Sequence, residues 1–423
     1  MTACGADDGR MVGMDSSAGQ VTGSAARAPR SPRAGARASV VRRHNLSALL
    51  ECLHLSGSAS RSQLGAATGL NRSTVADLVY ELARSGLVVE DGVSPSSGPG
   101  RPSPIVHVRA SGAVALAVEI GVESVAGAAI GLGGQVLEQR RVELPSGMAS
   151  PRDTVRLVTE LAASLDIAPT DPRVAGVGVA VPGLTRRADG FVHLAPNLGW
   201  KGVDLGRLLA EALHLPLDKV RVGNEADLGA LGEHRRGAGR GCDHLVFVSG
   251  EVGIGAGLII GGRPMLGAAG YAGEAGHMLV NPHGRRCTCG AFGCWETEAG
   301  EAALLRAAGA RGLRVTAIDA VVEKVAAGDE SAVAAVAEIG HWLGVGVGNL
   351  VNLLNPEVVV LGGIFQPLFP FLREPMLSAV RARSLDEVWQ PVLVVPSDLG
   401  TSAQLHGAAE MVLAAVLADP TLS

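Results

Sequence analysis

The sequence predicts an α/β protein: an N-terminal winged helix-turn-helix followed by a body of two α/β lobes. Three observations carry this. Two short helical patterns separated by Gly69 lead into apolar runs joined by a Gly/Pro/Ser loop, the order helix, turn, helix, wing. Downstream, apolar strands alternate with helical stretches, as in layered α/β folds. A strand, Gly turn, strand pattern then occurs twice, as VALAVEIGVESVAGAAIGLGG and as HLVFVSGEVGIGAGLIIGG, which reads as a duplicated lobe. At 423 residues the chain also exceeds one ordinary domain.

Composition narrows the function classes. Hydrophobic residues make up 47% and charged residues 18%, the values of a globular chain. No apolar run reaches the roughly 20 residues of a membrane span. The N-terminus lacks the charged-then-apolar order of a secretory signal, so a cytoplasmic protein with no membrane partner is expected. The net charge of −5 hides an asymmetry, because between Arg27 and Arg109 eleven arginines face only five acids. A basic front joined to an acidic body points to nucleic acid at the front alone.

The elements follow in order. Residues 1–38, rich in Gly, Ala, Ser and Arg, read as a disordered basic tail. The winged helix-turn-helix is expected over 39–109. Leu46, Leu49, Leu50 and Leu53 recur at spacings of three and four, one face of a helix. Ser60 is the expected N-cap of a helix ending at Thr68, and Asn71 or Ser73 opens a second helix running to Ser85. On that helix Val75, Leu78, Val79 and Leu82 face inward. Asn71, Arg72, Ser73, Thr74 and Asp77 are left to meet the base edges of double-stranded operator DNA. The wing, at 98–102, projects Arg101 toward the minor groove or the backbone. Such a head gains specificity by reading two half-sites, so a homodimer is expected. A first lobe over 110–224 holds the strands around Gly121, a helix over 152–165 and a buried strand over 174–181. A second lobe over 225–423 holds a helix from Ala226, a long helix over 331–354 and a strand over 356–363. Its last helix can pack back on the first lobe.

Between Glu274 and Glu296 lies the densest chemistry. Cys287, Cys289 and Cys294 read C-x-C-x4-C with His277 ten residues upstream, a ligand set for a closed, structural Zn²⁺ site. A buried thiol cluster or a disulfide is the competing reading, and a cytosolic chain seldom keeps disulfides. Gly284, Gly290 and Gly293 would let the loop take backbone conformations closed to other residues. His283 lacks ligand spacing and reads as a solvated turn residue.

With PNLGW at 196–200, NEAD at 224–227, GIGAG at 253–257, GEAGH at 273–277 and the CTCGAFGCWE run, the chain from Val40 onward resembles the ROK family of bacterial repressors and sugar kinases. The likeness is to its winged-helix regulator branch, the xylose-type repressors. The resemblance implies an actin-like, ribonuclease-H-like pair of lobes, a Zn²⁺ site beside the cleft, and a monosaccharide pocket between the lobes. It carries sugar binding to Asn197, Asn224, Glu225, Glu274, His277 and Glu296. The chemistry fits, since a ring of sugar hydroxyls both donates and accepts and is matched by amides and carboxylates. His277 can serve twice, with one ring nitrogen on the metal and the other toward a hydroxyl.

The same resemblance separates regulator from kinase. Kinases of the family open with D-I-G-G-T, where this chain has Glu119, Ile120, Gly121, Val122 and Glu123. Their second phosphate turn is replaced by Glu251 and Val252 ahead of Gly253, and their catalytic Asp by Glu225, one methylene longer. No catalytic residue is assigned, and a non-enzyme is expected. The expected function is a sugar-responsive transcriptional regulator, a repressor of carbohydrate-utilisation genes, whose effector is a monosaccharide or a sugar phosphate. Glu123 and Glu251 are expected to lie away from the sugar. The alternatives are an ATP-dependent, glucokinase-like sugar kinase with a fused DNA-binding module, and an adaptor that does not touch DNA.

Overall fold

The computed structural model describes residues 34–93, 104–144, 150–309, 314–389 and 391–422. The leucine stripe winds the chain into α1 (Ala34–Ser56), followed by β1 (Ser58–Ser60), α2 (Arg61–Thr68), α3 (Arg72–Arg84), β2 (Val88–Val93) and β3 (Pro104–Val108). Ser60 and Gln63 form a reciprocal capping box at the start of α2, and Gly69, at φ 69°, ends it in the left-handed region. Asn71 caps α3 by accepting the Thr74 N–H. Val75, Leu78, Val79 and Leu82 are buried with Leu46, Leu49, Leu50 and Leu53, and β1, β3 and β2 form one antiparallel sheet. This is a winged helix. The tail is shorter than expected at its inner end, because α1 begins at Ala34, where the alanines of AGARA favour helix. The tail over 1–33 and the wing loop with Arg101 lie outside the described residues.

The body opens with β4 (Val114–Ile120), β5 (Ser124–Gly131) and β6 (Val136–Glu143), then α4 (Pro151–Ala163) and β7 (Val174–Val181). A small antiparallel sheet follows: β8 (Leu184–Arg186), β9 (Phe191–Ala195) and β10 (Trp200–Asp204). Then come α5 (Leu205–Ala212), β11 (Val220–Asn224) and α6 (Glu225–Arg236). The second lobe holds β12 (Leu245–Gly250), β13 (Ile254–Ile260), β14 (Arg263–Pro264), α7 (Trp295–Ala299), α8 (Glu301–Ala307), α9 (Arg314–Ala326) and α10 (Glu330–Leu354). It closes with β15 (Val358–Gly363), α11 (Phe365–Arg381), α12 (Asp386–Trp389), β16 (Leu393–Pro396) and α13 (Ala403–Ala418).

The repeat read in the sequence is a repeat in space. Sheet one runs β6-β5-β4-β7-β11 and sheet two β14-β13-β12-β15-β16, each with two antiparallel pairings and then two parallel ones. Apolar runs such as VALAVEI in β4 fit strands covered on both faces. α6 and α13 pack on one another between the sheets: α13 touches β4 and β7, and α6 touches β12 and β13. They approach at backbone distance, for a Cβ on Gly407 would overlap the Leu228 carbonyl and one on Gly232 the Ala403 carbonyl. Among the described residues α10 alone is long and apolar enough to cross a membrane, and it is packed against α11 in the core of lobe two.

Candidate functional site

Five short segments converge at the mouth of the interlobe cleft. The turn between β9 and β10 brings Asn197, the junction of β11 and α6 brings Asn224 and Glu225, and the β12–β13 turn brings Glu251. A single helical turn, Ala275–His277, brings Glu274 and His277, and the first turn of α7 brings Glu296. All seven line one cavity of about 420 Å³. The six residues expected to bind sugar are therefore adjacent in space. Glu251 is the correction, since it lines this same cavity instead of lying away from it. The hairpin β12–β13 folds its turn back over the cleft, so the turn reaches what sequence distance separates. Glu123 is not part of the lining.

Local packing sets the positions. Asn224 is committed largely to the protein: its Oδ1 accepts the Ala226 and Asp227 N–H groups, and its Nδ2 donates to the Gly183 carbonyl at 3.1 Å. One amide N–H is left for a ligand. The β12–β13 turn presses on Glu296, for a Cβ on Gly253 would meet its Oε2. Trp295, fully buried, donates its indole N–H to the Trp342 carbonyl at 3.0 Å, and its ring fills the space beside Gly346. That anchor ties the cysteine loop and Glu296 to α10.

The cysteine loop gathers the ligand atoms of His277, Cys287, Cys289 and Cys294 within 4.8 Å of one another, a cluster that could hold a metal ion. An ion with sulfur at about 2.3 Å and nitrogen at about 2.0 Å in a tetrahedron sets edges of about 3.8 Å for S···S and about 3.5 Å for S···N. The Cys289 and Cys294 sulfurs are 3.7 Å apart, and Cys287 Sγ is 3.6 Å from His277 Nδ1. The donor set fits. It also leaves His277 Nε2 on the Glu274 side, 3.9 Å from its Oε2. Burial and a hydrogen bond from its thiol to Glu296 push Cys287 up to about 12, and an ion would take the place of that proton. Gly290 and Gly293 have φ of 97° and 69°, as expected, but Gly284 does not. Gly284 is there for space: its Cβ would crowd the Glu298 carboxylate and the Gly293 Cα.

The electrostatics of the cleft are those of crowded acids. Burial, then the charges of Glu251 and Glu119, hold the Glu225 carboxyl well above the usual range. Burial also raises Glu274, against the pull of His277. Two further groups were not anticipated. Asp227, on the first turn of α6, is pushed up to about 7 by burial, with Arg187 opposing and Glu274 adding. Gln404 of α13 donates to Glu251 at 3.2 Å. The NEAD motif contained Asp227, so a third polar residue on that turn was a usable signal; Gln404 offered none.

On the head, Arg72, Ser73 and Asp77 are exposed on the first two turns of α3. Thr74 is half-buried, and the Asn71 amide oxygen is engaged by the Thr74 N–H and the Ser73 hydroxyl.

Comparison with known proteins follows the same lines. The model of the ROK family matches residues 115–415. A putative xylose repressor of Caldicellulosiruptor sp. (strain Rt8B.4) is 32% identical over 375 residues, 85% of this chain and 93% of that one. A glucokinase of Streptomyces coelicolor is 28% identical over 314 residues, 96% of its own length but 70% of this chain. Among solved structures, a ROK family transcriptional regulator, a homologue of the E. coli MLC protein, superposes with a TM-score of 0.72 at 27% identity, covering 90% of this chain and 98% of that one. Matched over most of its body by the family model and over a longer stretch by the xylose repressor and the solved regulator, the chain belongs to the ROK family.

Proposed function

We propose that the chain is a sugar-responsive transcriptional repressor of carbohydrate-utilisation genes. Its head, 39–109, binds operator DNA as part of a homodimer; its lobes, 110–224 and 225–423, close on a monosaccharide beside a structural zinc. The observation that carries this reading is the single cavity that collects Asn197, Asn224, Glu225, Glu274, His277 and Glu296 in a chain that also has a winged helix. Arg72, Ser73, Thr74 and Asp77 reach base edges, Asn71 caps the reading helix, and Arg101 contacts the minor groove or the backbone. The repressor name of the Caldicellulosiruptor relative supports the regulatory role.

The charge of the cavity narrows the effector. Its lining contains four carboxylates, Glu225, Glu251, Glu274 and Glu296, and neither Arg nor Lys. A phosphate dianion would enter a site of its own sign without a counter-charge, so the effector is an unphosphorylated sugar. The glucokinase relative keeps the kinase alternative in view. Against it stands Glu225: a base must be ionised to take a proton, and burial and two neighbouring acids shift this carboxyl away from its ionised form. Glu251 would also repel a triphosphate. Zinc suits the His and three Cys donors, and with all four positions filled by protein its role is structural.

A mobility-shift assay on DNA upstream of the chain's own gene, with free and phosphorylated hexoses and pentoses, tests this. Release by a free sugar and not by its phosphate is the expected result. Turnover of ATP with any of these sugars, lost in Glu225→Ala, would replace the regulator with a kinase.

A further inference from the structure

Helix α6 has its two ends in two different places. Its first turn, with Asn224 as cap and Glu225 next, lines the cleft cavity. Its last turn, 12 residues or about 18 Å on, carries Arg235 and Arg236 into the head. Arg235 Nη1 donates to Glu51 of α1 at 3.0 Å. Arg236 is 9% exposed and binds three parts of the molecule at once. Its Nε donates to Glu410 of α13 at 2.7 Å, and its Nη1 donates to the His54 carbonyl of α1 at 2.8 Å and to the Gly133 carbonyl of lobe one at 3.0 Å.

His54, wholly buried, completes the junction. Its Nδ1 accepts the Gly133 N–H at 2.9 Å, and its Nε2 lies 3.0 Å from the Glu410 carboxylate and against Arg236 Nη2. Helix α13 makes the same journey as α6. Gln404 near its start bonds Glu251 of the cavity, and Glu410, six residues on, bonds Arg236 and His54. The two helices are locked together by glycine contacts at Gly232 and Gly407, so neither shifts alone. Burial alone would raise the Glu410 carboxyl, but hydrogen bonds from His54 and Arg236 and the Arg236 charge outweigh it and hold it at about 2. A buried ion pair of this kind adds little net stability over apolar packing; what it adds is a defined geometry.

We infer that Arg236, with Glu410 and His54, is the coupling junction through which sugar occupancy of the cleft is read by the DNA-binding head, α6 and α13 acting as a paired rod between them. The inference rests on the effector reading above. Arg236 is a positioning residue: it touches neither sugar nor DNA, and its effect is on the ratio of operator affinities with and without sugar.

The test uses the full-length chain and two variants. Arg236→Met with Glu410→Leu replaces the pair by apolar side chains of similar length, and Arg235→Ala removes the half-exposed strand of the junction. Sugar binding is measured by calorimetry and operator binding by mobility shift, with and without that sugar. The double variant is expected to bind the sugar within about threefold of wild type while its operator-affinity ratio falls about tenfold or more toward unity. Arg235→Ala is expected to lose a smaller part of the ratio. A ratio within twofold of wild type in the double variant overturns the inference and leaves the effector reading intact. A wild type that binds both sugar and operator but shows no ratio sinks the effector reading and the junction with it. Hydrogen exchange in the wild type gives a check free of mutation: added sugar should alter protection at the end of α1 and at Gly133, and unchanged exchange there counts against the coupling.

Discussion

At the scale of single residues, the cleft and its border hold acids whose protonation is governed first by burial and then by one another. Asp227 shows the consequence for stability. Its carboxyl is raised from 3.8 to about 7 in the folded chain, so the protonated form is favoured by folding. The stability it contributes is complete below its unfolded value and is lost as pH rises through about 7. Asp227→Asn, which cannot ionise, should therefore melt above wild type at pH 8 and close to it at pH 4. Thermal unfolding at the two pH values measures this, and a gap of equal size at both would show that the group does not titrate as stated. The polar residues of the site were legible because short motifs keep their spacing: NEAD, GEAGH and the cysteine run each name their own side chains. Gln404 was not legible, since it meets the cleft only through tertiary packing, and nothing local marks a glutamine on an apolar helix as a partner for Glu251.

At the scale of elements, the head was readable because apolar period and Gly or Asn punctuation agree at Ser60, Gly69 and Asn71, whereas β6, α5, β11, α9, α11 and β16 were not read from the sequence. The start of α1 and the small β8–β9–β10 sheet were harder, the first for want of a cap and the second because three-to-five-residue strands carry too few side chains for a period. What no period reveals is how closely two helices approach. The α6–α13 contact depends on hydrogen atoms where other residues carry Cβ, and Gly407 faces the Leu228 carbonyl directly. Gly407→Val should force the helices apart and cost roughly 1–3 kcal/mol, read as a lower denaturation midpoint. An unchanged midpoint would mean that the helices have slack the packing denies.

For the whole molecule, the cysteine loop is a brace. Trp295 pins it to α10 while His277 and Glu296 face the cavity, so loss of the ion should loosen the sugar site before it disturbs the head. Cys287→Ser is expected to lower bound zinc, by elemental analysis, and to weaken sugar binding about tenfold or more, while operator binding without sugar persists. Full zinc content with normal sugar affinity would contradict the brace. The duplicated lobes and the head were each visible in the sequence; their union was not, because it is made by side chains hundreds of positions apart. Leu46, Leu49, Leu50 and Leu53 of the head share one apolar cluster with Leu405, Met411 and Leu413 of α13. For protein engineering this sets the cutting site. A chimera that grafts a foreign DNA-binding head at residue 109 would strip Glu51 and His54 from their partners and leave Glu410 and Arg236 facing a stranger, whereas one that exchanges α3 and keeps the latter half of α1 would inherit a new address with the old wiring.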